Sequence, residues 1–351
     1  MSRLEDTLMF QEARDAASVI EQQFARNAAL MAALGGRLRA RPPHFIVTAA
    51  RGSSDHAAAY AKYVFETRLG LVTASASPAV SSVYEVPQQM DGALFIAISQ
   101  SGKSPDLLKS AEAAKAAGAE VLAFVNVESS PLAALADTVI PLHAGPERSV
   151  AATKSFLSTL AAVLQLAAYW ANAADLHAAL AALPGQMRQS WEGDWSPLVE
   201  GLRDASHLFV VGRGYGLGAA FEGALKLKET CGLHAEGISA AEVRHGPMAI
   251  VGAGFPVLFF AQNDHTLAGT LALAHEFRQR GARVWVAAPG ELSSDAMPLL
   301  ATPLDGAAAV SPLVAPLLGV QSFYRAAAAL SLARGFNPDV PPHLRKVTET
   351  L

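Results

Sequence analysis

Between Gly218 and Pro247 the chain places Glu222, Lys226, Glu229 and His245 inside one alanine-rich region. The stretch from Gly218 to Thr230 has the composition of a helix, and offsets of four and seven put Glu222, Lys226 and Glu229 on one face. Two carboxylates flanking an ammonium in a protein interior can transfer protons. On a solvated face the same three residues would do no more than pair as ions, and this segment alone leaves both readings open.

A second constellation is Ser99-Gln100-Ser101-Gly102-Lys103-Ser104-Pro105-Asp106. It follows an apolar run and opens a helical pattern, so hydroxyls, backbone N–H groups and the positive end of a helix dipole would converge on an anion. Gly102 permits a close turn, Ser104 suits the N-cap and Pro105 the first helical position. An ordinary capped turn explains Ser104 and Pro105 but not three serines and a glutamine together, so a phosphate cradle is expected. Gly52-Ser53-Ser54 holds the equivalent place after the first apolar run and could add a hydroxyl to the same crevice. In the run from Glu147 to Ser155, the backbone and Thr153 could line a sugar, or Lys154 and Glu147 could simply pair at a helix start. There is no GxGxxG after the first strand and no GxxxxGK[ST] anywhere, and the glycine-rich Gly212 to Gly218 is a weak dinucleotide signal. His234 and His245 lack a third clustered ligand, so no metal and no cofactor are expected, and His234 reads as structural or interfacial.

The elements that must position these residues alternate. Short apolar strands are expected at His44 to Ala49, Leu94 to Ile98, Val121 to Asn126 and Thr138 to Pro141, with helices after Ser54 and from Pro105 to Ala117. Such alternation signals a parallel sheet covered on both faces. The second half repeats the plan: His207 to Gly212 leads into Arg213-Gly214 and a helix, and Phe255 to Ala261 runs to a polar turn at Gln262-Asn263-Asp264. A duplication of about 160 residues follows, with Trp191 to Pro197 as linker. Met9 to Arg37 reads as a helix broken by Gly35-Gly36. The expected division is an N-terminal helical segment over 1–30, α/β domains over 31–190 and 191–334, and a tail over 335–351. That tail is either a frayed end or a strap over a cleft that supplies a lysine, Lys346.

The chain has 351 residues, 51% hydrophobic and 17% charged, which fits two folded domains rather than disorder. A formal net charge of -4 without a basic block argues against a nucleic-acid surface, leaving metabolites or copies of itself as partners. The one cysteine, Cys231, reads as buried packing in a reducing cytoplasm. No signal peptide is recognisable, and the apolar window Ser155 to Ala173 falls short of the roughly 20 unbroken residues of a membrane span.

Taken together, Ser99-Gln100-Ser101-Gly102, Glu147 with Val150 to Phe156, Glu222 through Glu229, His234-Ala235-Glu236 and Glu242 through Pro247 resemble a known family. It is the tandem sugar isomerase (SIS) domain family, as found in the isomerase half of glucosamine-6-phosphate synthase. Leu344-Arg345-Lys346 is a weaker match. The resemblance implies two similar flavodoxin-like three-layer αβα domains with parallel sheets. Ser2 follows Met1 where the synthase begins its glutamine-hydrolysing domain, and Gly335 to Asp339 looks like the glutaminase-lacking glucosamine-6-phosphate deaminases. The expectation is therefore deamination of glucosamine 6-phosphate to fructose 6-phosphate and ammonia. The rivals are a glutaminase-lacking aminotransferase-like enzyme, another phosphosugar aldose–ketose isomerase or deglycase, and a non-catalytic phosphosugar sensor.

Carried over residue by residue, the resemblance implies that Ser99, Gln100, Ser101 and Ser104, with Gly52, Ser53 and Ser54, hold the phosphate. Lys103 replaces a glutamate of the synthase, and Val150 and Ala152 line the sugar, Ala152 where a serine is usual. Glu229 shuttles the proton between C1 and C2, Lys226 assists, Glu222 positions the pair, His245 opens the ring and Lys346 meets the ketose. The family also implies a cytoplasmic homodimer acting on a phosphorylated aminosugar, with one histidine, His245, coming across the interface.

Overall fold

The computed structural model describes residues 3–289, 299–302 and 310–346. The chain divides into two compact units. The first-sheet unit takes Ser18–Pro146, Lys154–Ala181 and the chain from Arg345 on; the second-sheet unit takes the chain up to Ala17, Glu147–Thr153 and Ala182–Leu344.

Among the described residues the first-sheet unit holds strands β1 (Phe45–Ala49), β2 (Thr73–Ser75), β3 (Ala93–Ser99), β4 (Glu120–Val125) and β5 (Thr138–Pro141). All pair in parallel, in the order β2-β1-β3-β4-β5. Every residue of β3 is buried, as a central parallel strand covered on both faces requires. Helix α1 (Leu8–Ala40) opens the chain, and α2 (Ser53–Leu69), α3 (Pro105–Ala116) and α4 (Lys154–Ala171) follow. Helix α4 is buried almost all round, which marks an internal helix. Among the described residues no helix is long and apolar enough to cross a membrane.

Helix α1 is not broken at Gly35-Gly36. A Cβ at Gly35 would stand 2.6 Å from the backbone carbonyl of Tyr169, so this glycine lets α1 lie against the end of α4. Close approach, rather than helix termination, is its purpose.

The second-sheet unit repeats the topology with β6 (His207–Gly212), β7 (His234–Ser239), β8 (Pro256–Phe260), β9 (Arg283–Pro289) and β10 (Leu299–Thr302). Their order, β10-β9-β8-β6-β7, is the first sheet's order read from the other side. Helices α5 (Gly216–Cys231), α6 (Leu267–Gln279) and α7 (Ala315–Ala333) belong to this unit. The segment Asn337–Asp339 is held rather than frayed. The Asp339 carboxylate accepts the N–H groups of Leu8 and Met9, each at 2.8 Å, at the positive end of α1.

Candidate functional site

Helix α5 carries Glu222, Lys226 and Glu229 inward. Lys226 is fully buried, with Nζ 2.5 Å from Glu229 Oε2 and 3.4 Å from Glu222 Oε1. Glu222 is also fully buried, whereas the Glu229 side chain keeps 20% exposure. The ion pairs are real, but the face is not solvated. Taking such ions out of water costs several kcal/mol each, so the cluster is a poor way to stabilise a helix. It is a good way to fix the position and charge of one half-open carboxylate.

Two groups distant in sequence complete the cluster. Tyr324 on α7, fully buried, donates its phenol to Glu222 Oε1 at 3.0 Å. Buried Glu147 lies close enough to act electrostatically on both Lys226 and Tyr324, and its Oε1 accepts the Thr153 N–H at 2.9 Å. Burial pulls the Lys226 pKa down, but Glu222, Glu229 and Glu147 together outweigh it and hold the value raised, so this lysine is a cation. Burial first, then the charge of Glu222, pushes the Tyr324 phenol well above its ordinary range, so it stays a donor.

The segment bearing Val150 and Ala152 is pinned within the same unit. The Arg148 and Ser149 N–H groups bond the Glu12 carboxylate at 2.5 and 3.3 Å, and Val150 N–H bonds the Asp339 carbonyl at 3.1 Å. Val150 and Ala152 themselves stay partly exposed. His245 is exposed at the end of the 3-10 turn Glu242–His245, and among the described residues no hydrogen bond or ion pair joins it to the α5 cluster. His234 is exposed at the start of edge strand β7.

In the first-sheet unit the chain leaves β1 towards β2 and leaves the adjacent β3 towards β4. Strand order reverses between them, and open parallel sheets bind ligands at such a point. The two serine-bearing turns sit there. Gly52 caps α2 with φ +56, and Ser53 and Ser54 open its first turn. After β3, Ser99 Oγ accepts the Gly102 N–H at 3.0 Å. Gly102 has φ +63, and a Cβ there would meet Ser130 Oγ at 2.2 Å, so only glycine fits.

Ser104 occupies the N-cap position of α3, but its hydroxyl makes no capping bond, which corrects the expectation of a capping serine. Asp106 instead is buried at the helix start, where Oδ1 accepts the Leu107 N–H. Its Oδ2 receives Nε and Nη2 of Arg51, each at 2.8 Å, while the Arg51 side chain remains 51% exposed. A guanidinium is thus fixed beside the serine turns. Gln100, Ser101 and Ser104 are partly exposed, Ser99 is buried and Lys103 faces outward. Lys346 is partly buried and belongs to this unit.

The structure therefore gathers Glu222, Lys226 and Glu229 in one unit and Gly52, Ser53, Ser54 and Ser99 through Ser104 in the other. Sequence reasoning missed Tyr324, the reach of Glu147 to Lys226, and the Arg51–Asp106 pair. A lone tyrosine in an apolar, alanine-rich helix was the available signal for the first, since a buried phenol needs a partner. Among the described residues no group of three or more His, Cys, Asp or Glu is placed to hold a metal ion.

Comparison with known proteins places this geometry. The SIS domain model matches residues 41–169 and 201–294. A provisionally assigned phosphosugar isomerase from Silicibacter pomeroyi DSS-3 is 40% identical, with a TM-score of 0.86 over 95% of this chain and 100% of that one. The C-terminal domain of the glucosamine-fructose-6-phosphate aminotransferase from Francisella tularensis shares the fold at 24% identity, with a TM-score of 0.82 over 96% of this chain and 98% of that one. The isomerizing glutamine–fructose-6-phosphate aminotransferase of Pyrobaculum aerophilum is 39% identical over 77% of this chain but only 46% of its own length. The chain spans about half the length of the curated relatives it matches. With a family match in each half and the same strand order in both sheets, the chain belongs to the SIS domain family and resembles the isomerase half of glutamine–fructose-6-phosphate aminotransferase.

Proposed function

We propose that the protein deaminates glucosamine 6-phosphate to fructose 6-phosphate and ammonia. The observation that carries the reading is Glu229, a half-open carboxylate 2.5 Å from a fully buried ammonium, which suits a proton carrier working at one edge of a substrate. The serine turns, with the guanidinium of Arg51, hold the 6-phosphate. His245 assists ring opening to the free aldehyde. Glu229 removes the C2 proton, and the electron pair of that C–H bond moves through C1–C2 to the carbonyl oxygen. The nitrogen lone pair then closes the C2=N bond as the C1–C2 double bond takes a proton at C1, and an N–H proton passes to the O1 oxygen, giving the C2 imine of fructose 6-phosphate. Water adds to that imine, the C–N bond breaks and ammonia leaves. Lys226, buried beneath Glu229, acts by holding it, and Glu222 holds Lys226. Val150 and Ala152 line the sugar, and Lys346 meets the ketose carbonyl. The working form is a homodimer in which the exposed His245 serves the partner's site.

Cys231 is the one cysteine of the sequence. It is fully buried and burial pushes its thiol up to about 11, so it packs and does not attack. A second reading, transfer of ammonia to fructose 6-phosphate, is favoured by the aminotransferase relatives.

Purified protein given glucosamine 6-phosphate should release ammonia and fructose 6-phosphate in equal amounts. Neither product would reject deamination. Glucosamine 6-phosphate formed from fructose 6-phosphate and glutamine would instead support the second reading.

A further inference from the structure

We infer that Tyr324 is a positioning residue for proton transfer: by bonding Glu222 through its phenol, it keeps the Lys226 ammonium committed to Glu229. The inference rests on the reading of Glu229 as proton carrier. Lys226 is faced by Glu222 and Glu229 from its own helix and by Glu147 from the segment ahead of α4, while Tyr324 on α7 reaches Glu222. Two carboxylates on α5 compete for one ammonium, and the structure shows an unequal outcome: 2.5 Å to Glu229 and 3.4 Å to Glu222.

The inequality has a visible cause. Glu222 Oε1 is both the oxygen nearest Lys226 and the acceptor of the Tyr324 phenol. A carboxylate oxygen that already receives a hydrogen bond gains less from the ammonium, so the ammonium leans towards the half-open Glu229. Because Tyr324 is fully buried with its phenol held protonated, this donor does not switch off across the working pH range. In the apolar α7 a phenylalanine would fill the same space; the hydroxyl is the part that needs a reason.

Tyr324→Phe removes that one oxygen and keeps the ring. In a crystal structure of the variant, Lys226 Nζ should move towards Glu222 and away from Glu229. With glucosamine 6-phosphate, kcat should fall about tenfold at unchanged KM. In a Glu222→Gln background, where no second α5 carboxylate competes, adding Tyr324→Phe should change kcat by less than about twofold.

A variant that melts earlier but keeps the 2.5 Å contact and the wild-type kcat overturns the inference. So does an equal effect of Tyr324→Phe in both backgrounds. If the wild-type protein turns over no aminosugar phosphate, the proton-carrier reading fails, while the ammonium position in the variant crystal still decides whether Tyr324 holds it.

Discussion

The same point of strand reversal occurs twice in this chain, between β1 and β3 and between β6 and β8, and the two copies are finished in opposite ways. At the first, small hydroxyl residues line both turns, Ser104 leaves its capping bond unmade, and the Arg51 guanidinium is fixed by a buried carboxylate. At the second, Gln262 is buried and its Nε2 donates to the Arg213 carbonyl, Asp264 Oδ2 and Thr266 Oγ1 at 2.7, 3.2 and 3.0 Å. Asp264 Oδ1 accepts the Thr266 N–H just ahead of α6, so the protein's own carboxylate sits where an anion would bind. A Cβ at Gly216 would meet Gln262 Oε1 at 2.6 Å, and the space left beside these residues is about 10 Å³, room for a single water. On the proposed reading, one copy of the duplicated crevice takes the ligand. Among the described residues the other is filled by its own side chains, and on the proposed reading the chemistry of its unit lies on α5.

If that division of labour is right, substitutions in the two units should fail in different ways. The largest effect belongs to the proton carrier. Glu229→Gln should lower kcat by about a thousandfold or more while calorimetric affinity for fructose 6-phosphate stays within about threefold, since general acid–base groups contribute 10² to 10⁴. Retained turnover would remove Glu229 from the mechanism. Smaller, and opposite in kind, is the effect of the serine turn. Ser101→Ala and Ser104→Ala should each raise KM about tenfold, the worth of a hydrogen bond to a charged group, with little change in kcat or melting temperature. Gln262→Ala, at the matching place in the second sheet, should leave KM unchanged. It should cost about 1–3 kcal/mol in denaturant unfolding, because three acceptors lose one donor. A raised KM in Gln262→Ala would erase the distinction between the two crevices.

How much of this was legible in the sequence varies with the physics of each element. The strands β1, β3, β4, β6 and β8 read clearly because central parallel strands are apolar runs ended by special turn residues, and β5, at an edge, read from its own short apolar run. Edge strands β2 and β7 did not: β2 is three residues long with two exposed, and β7 exposes His234 and Glu236. The break expected at Gly35-Gly36 failed because tertiary approach of α1 to the Tyr169 carbonyl overrode helix propensity. The face bearing Glu222, Lys226 and Glu229 was visible from spacing, but its burial was not. Burial comes from α7 and the Glu147 segment, and Tyr324 lies 102 residues from the carboxylate it touches. The Arg51–Asp106 pair, 55 residues apart, was hidden for the same reason. Local rules name the groups, while charge state and exposure are set by partners that only the fold supplies.

The least conspicuous test uses the cysteine. Cys231 ends α5 two residues after Glu229, and its Sγ lies 3.4 Å from the Ala327 carbonyl on α7. The contact joins the same two helices that bring Tyr324 to Glu222, so exposing this thiol requires α5 and α7 to part. Burial pushes the thiol up to about 11, and at pH 8 the native state should resist a disulfide reagent until the helices separate. When opening is reversible and fast, the labelling rate follows the opening equilibrium, about tenfold for each 1.4 kcal/mol. Gln262→Ala should therefore speed Cys231 labelling about tenfold, whereas Ser104→Ala in the other unit should leave it unchanged. Labelling that ignored Gln262→Ala would mean that α5 and α7 open independently of the packed crevice. The filled switch point would then stabilise only its own turns, and the cluster around Lys226 would owe its rigidity to the α5–α7 contact alone.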